Sequence, residues 1–488
     1  MKDLSHYVTN VESDVYGLIN LPEEVIAVLF AFYSRSAGSL KDNLSKLLKD
    51  EELNFSNGQV GGNKLLFAQE QARNFHEKWV LGYGHASVAE HAVAHIAVEN
   101  ISILLSKVIE DSRLASFTEK SSRYVFFKNT DFYPLNEIED KELLEEYQNT
   151  AKSLIEDYSR AYEEIYKNLI CNFDKKGQGP CNKDKIACKK ITCDIVRYFL
   201  PTSTYTNLGM TANGRELAHI ISKMLSNPLE ESKICGKRIK EEGMKLIPTL
   251  VKYASEKSYM KNTSNNIRIL LKNIEVETDR ASLSRSVTLV KYQEDPEFIV
   301  AASILYEHIP SDYGSLVEDL EKQGLEYSRK IIDEFMKDRG EHDQPLRNLE
   351  HVNYTFDILI DYGAFRDIQR HRIATQSPQI FTNEYGFSKP EEISEFNLDD
   401  LFDSAMSRAE KCYLKLKDYD PVSAQYILPL AFRKRVLFSW NLRELHHFIT
   451  LRTSNLGHLS YRKIAYEVFK EVKRVHPFLA EYIRYTEI

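Results

Sequence analysis

Gly84-His85-Ala86-Ser87-Val88-Ala89-Glu90-His91, an apolar stretch, and Arg113-Leu114-Ala115-Ser116-Phe117-Thr118-Glu119-Lys120-Ser121-Ser122-Arg123-Tyr124 form a block that this chain carries twice. The second version keeps Glu350-His351, a similar apolar stretch, and Arg370-His371-Arg372-Ile373-Ala374-Thr375. Each half then has a Leu-Pro followed by Asn-x-Arg-Glu-Leu: Leu200-Pro201 with Asn213 to Leu217, and Leu428-Pro429 with Asn441 to Leu445. The step from Pro to Asn is 12 in both halves (213 − 201 and 441 − 429), and the step from the Glu-His histidine to the shared Arg is 22 and 21 (113 − 91 and 372 − 351). Four landmarks in one order at matched spacing read as a duplicated domain, copy one over 1–255 and copy two over 256–488.

The 488 residues suffice for two domains that each bury a core. A hydrophobic fraction of 43% and a charged fraction of 28% are those of an ordinary soluble globular protein. A net charge of −8 gives no electrostatic footprint for a nucleic-acid backbone, so no nucleic-acid partner is expected, whereas a monomeric nucleotide remains open. No apolar run is long enough to span a bilayer, and the opening Met1-Lys2-Asp3-Leu4-Ser5-His6 lacks a signal-peptide pattern, so a cytoplasmic protein without a membrane partner is expected. Of the six cysteines, Cys171, Cys181, Cys188 and Cys193 cluster, but without a paired C-x-x-C they read as reduced thiols, and no metal is expected.

Asn353 to Ile360 alternates large or β-branched residues and predicts a strand, with Ala92 to Val98 at the same place in copy one. Phe365 to Arg370 and Ile103 to Ile109 then predict helices ending near the arginine clusters. Long amphipathic helices are expected over Asp140 to Leu169 and Leu398 to Lys417, and further helix from Glu444 to His476-Pro477. Lys175 to Lys190 reads as an insertion, and Glu256 to Asn266 as a linker or a helix-flanking loop. The fold class is therefore α+β, with a small sheet and several helices in each copy.

Three donors on consecutive residues, Arg370-His371-Arg372, suit a phosphate or pyrophosphate; a basic helix end answering the macrodipole explains them equally well taken alone. His85, His91 and His95 have ligand-like spacing but no carboxylate pattern beside them, and read as structural, as do His446-His447, of which the helix turns at most one inward.

Together these residues resemble the flavin-dependent thymidylate synthases, whose pattern runs H-x-[ST]-x-x-E-H, a strand, R-H-R-x-x-S-x-N-E-x-S-x-R-Y, R-x-x-L-P, and N-x-R-x-L with a later Arg. Copy one keeps His85, Ser87, Glu90, His91, Ser116, Glu119, Ser121, Arg123, Tyr124 and Arg197, but has Asp111 and Ser112 for the leading Arg-His and Met224 for the late Arg. Copy two keeps Arg370, His371, Arg372, Asn441, Arg443 and Arg452, but has Thr375 for the Ser, Ser377-Pro378 for Asn-Glu, Gln425 for the Arg before Leu-Pro and Asp367 for a usual Gln. The resemblance implies two tandem copies of that family's fold, a small antiparallel sheet flanked by helices, with one composite site between them. It implies FAD held by Arg370, His371, Arg372, Asn441 and Arg443, with Ser87 and Glu119 from copy one. Ser121 and Arg123 would grip the dUMP phosphate, Arg197 and Arg370 would also bind the substrate, and Arg452 would face the uracil as the catalytic residue. The implied reaction is dUMP to dTMP with methylenetetrahydrofolate as carbon donor and NADPH as reductant, in a homodimer of the fused chain. The signature losses in each copy leave two alternatives open, a non-catalytic flavin- or nucleotide-binding homologue and methylation of another pyrimidine.

Overall fold

The computed structural model describes residues 4–33, 36–49, 88–127, 131–174, 180–271, 274 and 284–488. The first half runs β1 (Val93–Ser102), α1 (Ile103–Ile109), β2 (Ala115–Glu119), α2 (Lys141–Asp174), α3 (Asn182–Val196), β3 (Tyr205–Asn213), α4 (Gly214–Leu225) and α5 (Ser258–Leu271). The second half opens with β4 (Val287–Tyr292) and repeats the order as β5 (Asn353–Asp361), α6 (Tyr362–Ile368), β6 (Thr375–Pro378), α7 (Asp399–Tyr419), β7 (Arg433–Asn441), α8 (Leu442–Thr453) and α9 (Leu459–Val475). The fold is α+β with two repeats, as the spacing predicts.

The repeats match at the level of register. Ser116 of β2 lies opposite Thr211 of β3, and Thr375 of β6 opposite Ser439 of β7; the two pairs stand at equivalent positions. Asn213 and Asn441 end their strands and cap the helices that follow, each side chain accepting from the N–H three residues on, at 2.9 and 2.8 Å. Among the described residues no helix is long and apolar enough to cross a membrane.

Three sequence expectations change. The helix expected from Glu444 to His476 is two, α8 and α9, parted at 454–458. Glu256 to Asn266 is mostly helix, because α5 starts at Ser258 and carries Ile267, Ile269, Leu270 and Leu271 downstream, apolar residues that extend the helical run. In the insertion, α3 takes 182 to 190, and 175–179 lie outside the described residues. Asp184 at the third helical position accepts the Cys181 N–H at 2.9 Å, half of a capping box, which polar composition alone disguised as loop.

The chain condenses into two units that interleave along the sequence: Met1–Ile101, Leu105–Lys120 and Thr206–Glu275 in the first, and Ser102–Leu104, Ser121–Tyr205 and Val276–Ile488 in the second. The first unit holds the sheet β1-β3-β2, whose inward residues Ala94, Ile96, Val98, Leu208 and Met210 pack on Leu217, Ile220 and Ile221 of α4. The second holds β4-β5-β7-β6, where Asn353 opposite Asn441 through Asp361 opposite Arg433 sets the central register. Its core is aromatic: Phe438 stacks on Trp440 at 4.6 Å and Trp440 on Phe448 of α8 at 4.8 Å. Within this unit the two Leu-Pro turns exchange backbone bonds reciprocally, Leu430 N–H to the Leu200 carbonyl at 2.9 Å and Thr202 N–H to the Leu428 carbonyl at 3.0 Å. The exchange pairs the two turns symmetrically.

Candidate functional site

The second unit brings the segment 121–205 of the first repeat together with the second repeat, and the arginine signatures of both meet there. β5 ends at Asp361, which caps α6 by accepting the Ala364 N–H at 2.7 Å and also accepts from the hydroxyls of Ser460 and Tyr198. Burial pushes the Asp361 carboxyl up, only partly offset by these donors. The α6 helix ends at Ile368, so Arg370-His371-Arg372 follow it in a turn.

Arg197 is buried, its side chain 1% exposed, and its Nη1 donates to Asp367 Oδ2 at 3.4 Å. Its Nε and Nη2 are buried with no hydrogen-bond partner. Gly363, in the first turn of α6, lies against this pair: a Cβ there would crowd Asp361 Oδ1 at 3.2 Å and meet Arg197 Nε at an ordinary contact distance of 3.6 Å. Burial of Asp367 favours the neutral acid, yet the guanidinium groups of Arg197, Arg123, Arg370 and Arg452 outweigh it and hold the carboxyl below its ordinary value. Asp367 is therefore an ionised centre around which the arginines of both repeats gather.

Arg123 offers its fork to Asp194 of α3, Nε to Oδ1 at 2.7 Å and Nη2 to Oδ2 at 3.0 Å, while Nη1 donates to the Tyr461 hydroxyl at 3.0 Å. Arg366 reaches Ser122 at 3.0 Å. On α8, Arg452 Nε donates to His371 Nε2 at 2.9 Å, and its guanidinium lies 5.4 Å from the Tyr461 ring centre. Since Nε2 accepts, His371 is neutral with its proton on Nδ1, which faces Glu444 Oε1 at 3.3 Å. Burial drives the His371 pKa down to about 4, with Arg452 adding to the fall and Glu444 opposing it. His458 caps α9, its Nδ1 accepting the Ser460 N–H at 3.2 Å, and burial lowers its pKa to about 3. A cavity of about 340 Å3 borders the cluster, lined by Asp194, Tyr198, Lys389, His458, Ser460 and Lys463 among others.

Of the residues expected from sequence, Arg123, Arg197, Arg370, His371 and Arg452 converge around Asp367 or on one another. Ser121 accepts the Arg123 N–H at 3.2 Å and so shapes that turn. Arg372 stands half-buried beyond α6. Asn441 is committed to capping α8, and Arg443 donates to the Pro345 carbonyl at 2.7 Å and to Glu350 at 3.0 Å. Glu119 belongs to the first unit, where its buried carboxylate accepts from Ser106 at 2.8 Å and Lys107 at 2.9 Å. Ser87 and His85 lie outside the described residues. His95 bonds Thr211 at 2.9 Å, and of the adjacent pair His446 is buried and His447 exposed. Cys188 and Cys193 are buried on α3 with thiols raised by burial, Cys193 to about 12. Sequence reasoning missed Asp194, Tyr198, Asp361 and Tyr461. Asp194 carried a faint signal, a carboxylate three residues before the arginine of the R-x-x-L-P element, and the cysteines around it drew the reading away.

The profile of the thymidylate synthase complementing protein family matches residues 22–249 and 288–478, two segments that together span most of the chain. The chain belongs to this family. Among its relatives, a UPF0159 protein of Chlamydia muridarum is 31% identical over 99% of this chain and 94% of its own length. A UPF0159 protein of Thermoplasma acidophilum is 30% identical over 86% of this chain and 90% of its own length. A flavin-dependent thymidylate synthase of Clostridium tetani is 26% identical over 40% of this chain and 85% of its own length. The family's members therefore include single-repeat proteins named for this activity and full-length relatives whose name states none.

Proposed function

We propose that the protein is a cytoplasmic flavin-dependent methyltransferase of the thymidylate synthase type, acting on the 5-carbon of a deoxyuridine compound, with dUMP as the form the family resemblance implies. The observation that carries this reading is the convergence, inside one compact unit, of Arg123 and Arg197 from one repeat with Asp367, His371 and Arg452 from the other.

The donor set suits a flavin dinucleotide. Arg370 is exposed beyond α6, Arg372 follows it, and Arg443 stands at the start of α8 next to Glu444, which touches His371. The guanidinium groups of Arg370 and Arg372, two residues apart, would suit a diphosphate. When bound, FAD recharged by NADPH would supply the redox chemistry for moving a one-carbon unit from methylenetetrahydrofolate. The protein's own part is positioning and polarisation. Arg452, anchored by the neutral His371 and packed on Tyr461, is the cation that stabilises negative charge on the pyrimidine ring, raising nucleophilicity at its 5-carbon without a protein nucleophile. Glu444 fixes the tautomer in which His371 can accept from Arg452. Two chains would pair as a homodimer, equivalent to four single-repeat subunits.

A second reading, a non-catalytic binding protein, draws support from Glu119 and Arg443, whose charges are already spent on Lys107 and Glu350. One experiment separates the two. Purified protein is reconstituted with FAD, reduced anaerobically, and mixed with methylenetetrahydrofolate and either dUMP or deoxyuridine. Return of the oxidised flavin spectrum together with a methylated pyrimidine supports the enzyme; bound flavin without turnover on either acceptor supports the binding protein.

A further inference from the structure

We infer that Tyr461 is a positioning residue of the site: it holds Arg123, from the first repeat, against Arg452, from the second, and so sets the spacing between the cation that meets a nucleotide's phosphate and the cation that meets its pyrimidine. The inference rests on the pyrimidine reading above and adds the residue that tunes its preference for the monophosphate.

The charge around Asp367 suits an anionic ligand. Arg123, Arg197, Arg370 and Arg452 all act on this carboxylate. Asp194 answers Arg123, and Asp361 lies near Arg197 with its buried carboxyl already accepting from Ser460, Tyr198 and the Ala364 N–H. Four cations thus face three acids, and the positive charge left over matches a phosphate. Arg123 also has the donors for one. Asp194 takes its Nε and one N–H of Nη2, Tyr461 takes one N–H of Nη1, and a second N–H on each Nη has no acceptor among the described residues.

Tyr461 is what Arg123 and Arg452 share. It is the third residue of α9, buried at 4% exposure, and the two guanidinium groups lie 5.6 and 5.4 Å from its ring centre. Its hydroxyl oxygen accepts from Arg123 at 3.0 Å and draws Arg452 as well. Two like charges this close repel. A phenol oxygen turned to both offsets the repulsion without adding an anion that would compete with the ligand.

Gly457 fits the ring: a Cβ there would stand 2.6 Å from Tyr461 Cε2 and 2.8 Å from its hydroxyl oxygen, closer than packed atoms tolerate. The first repeat shows that the tyrosine goes with the site. Its corresponding helix, Glu230–Leu246, has Ser232 at the third position, where the hydroxyl donates at 3.1 Å to the carbonyl of Met224, the residue standing for Arg452. Where the arginine is missing, the tyrosine is missing too.

The test is calorimetric titration of the FAD-loaded full chain with dUMP and with 2′-deoxyuridine. The unmodified protein is expected to bind dUMP about tenfold tighter or better. Tyr461→Phe keeps the ring and removes the hydroxyl; it is expected to weaken dUMP about tenfold while leaving deoxyuridine within about twofold, with the FAD spectrum unchanged. Gly457→Ala, which crowds the ring, serves as a second variant with the same expected direction. A tyrosine that only supports the fold would affect both ligands alike, so equal losses overturn the inference, as does unchanged dUMP binding by Tyr461→Phe. Deoxyuridine binding as tightly as dUMP to the unmodified protein overturns it too and leaves the pyrimidine reading standing. Binding of neither ligand removes both.

Discussion

The two repeats agree where residues hold the frame and part where the arginines of the second unit gather. Asn213 and Asn441 cap the same helix in the same way, and Arg215 pairs with Glu90 at 2.6 Å as Arg443 does with Glu350 at 3.0 Å. Against this, Arg370, His371 and Arg452 correspond to Asp111, Ser112 and Met224. His371 and Arg452 touch, and the first repeat lacks both members of that contact. Its equivalent region is an open cavity of about 710 Å3 lined by Asp111, Arg113, Glu216, His219 and Lys223 among others, in which Asp111 already holds Lys223. On the proposed reading this contact serves the reaction, and a contact of that kind has no use in pieces; once one partner goes, nothing in the fold retains the other.

The sharpest way to break this comparison is to remove the chemistry from the second repeat alone. Arg452→Ala should lower turnover by about 10²–10³-fold, the scale seen when a transition-state charge stabiliser is removed. FAD absorbance should stay, and Met224→Ala in the first repeat should leave turnover within about twofold by the same argument. Loss of flavin from Arg452→Ala, or an equal loss of turnover from Met224→Ala, would erase the asymmetry.

Acid should expose the second unit next. His371, His446 and His458 are held neutral by burial, with pKa values near 4, 3 and 3. Each is a base whose folded pKa lies below the unfolded value, so the unfolded chain binds more protons and stability falls as pH drops from about 6.5 toward those values. For His371 the full loss is on the order of 3 kcal/mol, reached below pH 4. Denaturant midpoints of His371→Gln between pH 7 and 4 should fall less steeply than those of the parent. An unchanged slope would mean that His371 is not buried neutral.

How much of this was legible beforehand follows from the same division. Periodicity placed β1, β5, α1, α2 and α7 to within a few residues, because strand alternation and helical stripes are local properties of sequence. The arginines were legible as a motif. Their partners were not: Asp194 is 71 residues from Arg123, and Asp367 is 170 from Arg197. No local pattern marks such a pairing. Nor could spacing reveal that Ser121 to Tyr205 folds with the second repeat, since that is decided by which apolar faces meet.

The smallest effects test the frame itself. Asn213→Ala and Asn441→Ala each remove an equivalent cap, and each should cost about 1 kcal/mol in chemical denaturation. The ion pairs beside them then distinguish frame from site. Arg215 and Glu90 are 57% and 43% exposed along their side chains, so Arg215→Ala should change stability by less than about 0.5 kcal/mol. Arg443 sits in the same frame position but also bonds the Pro345 carbonyl and stands beside Glu444 of the Arg452 support. Arg443→Ala should therefore cost little more stability, about 1 kcal/mol from the lost charged hydrogen bond, yet weaken FAD binding several-fold in a fluorescence titration. If FAD affinity is unmoved, Arg443 is frame like Arg215, and the cofactor's diphosphate rests on Arg370 and Arg372 alone.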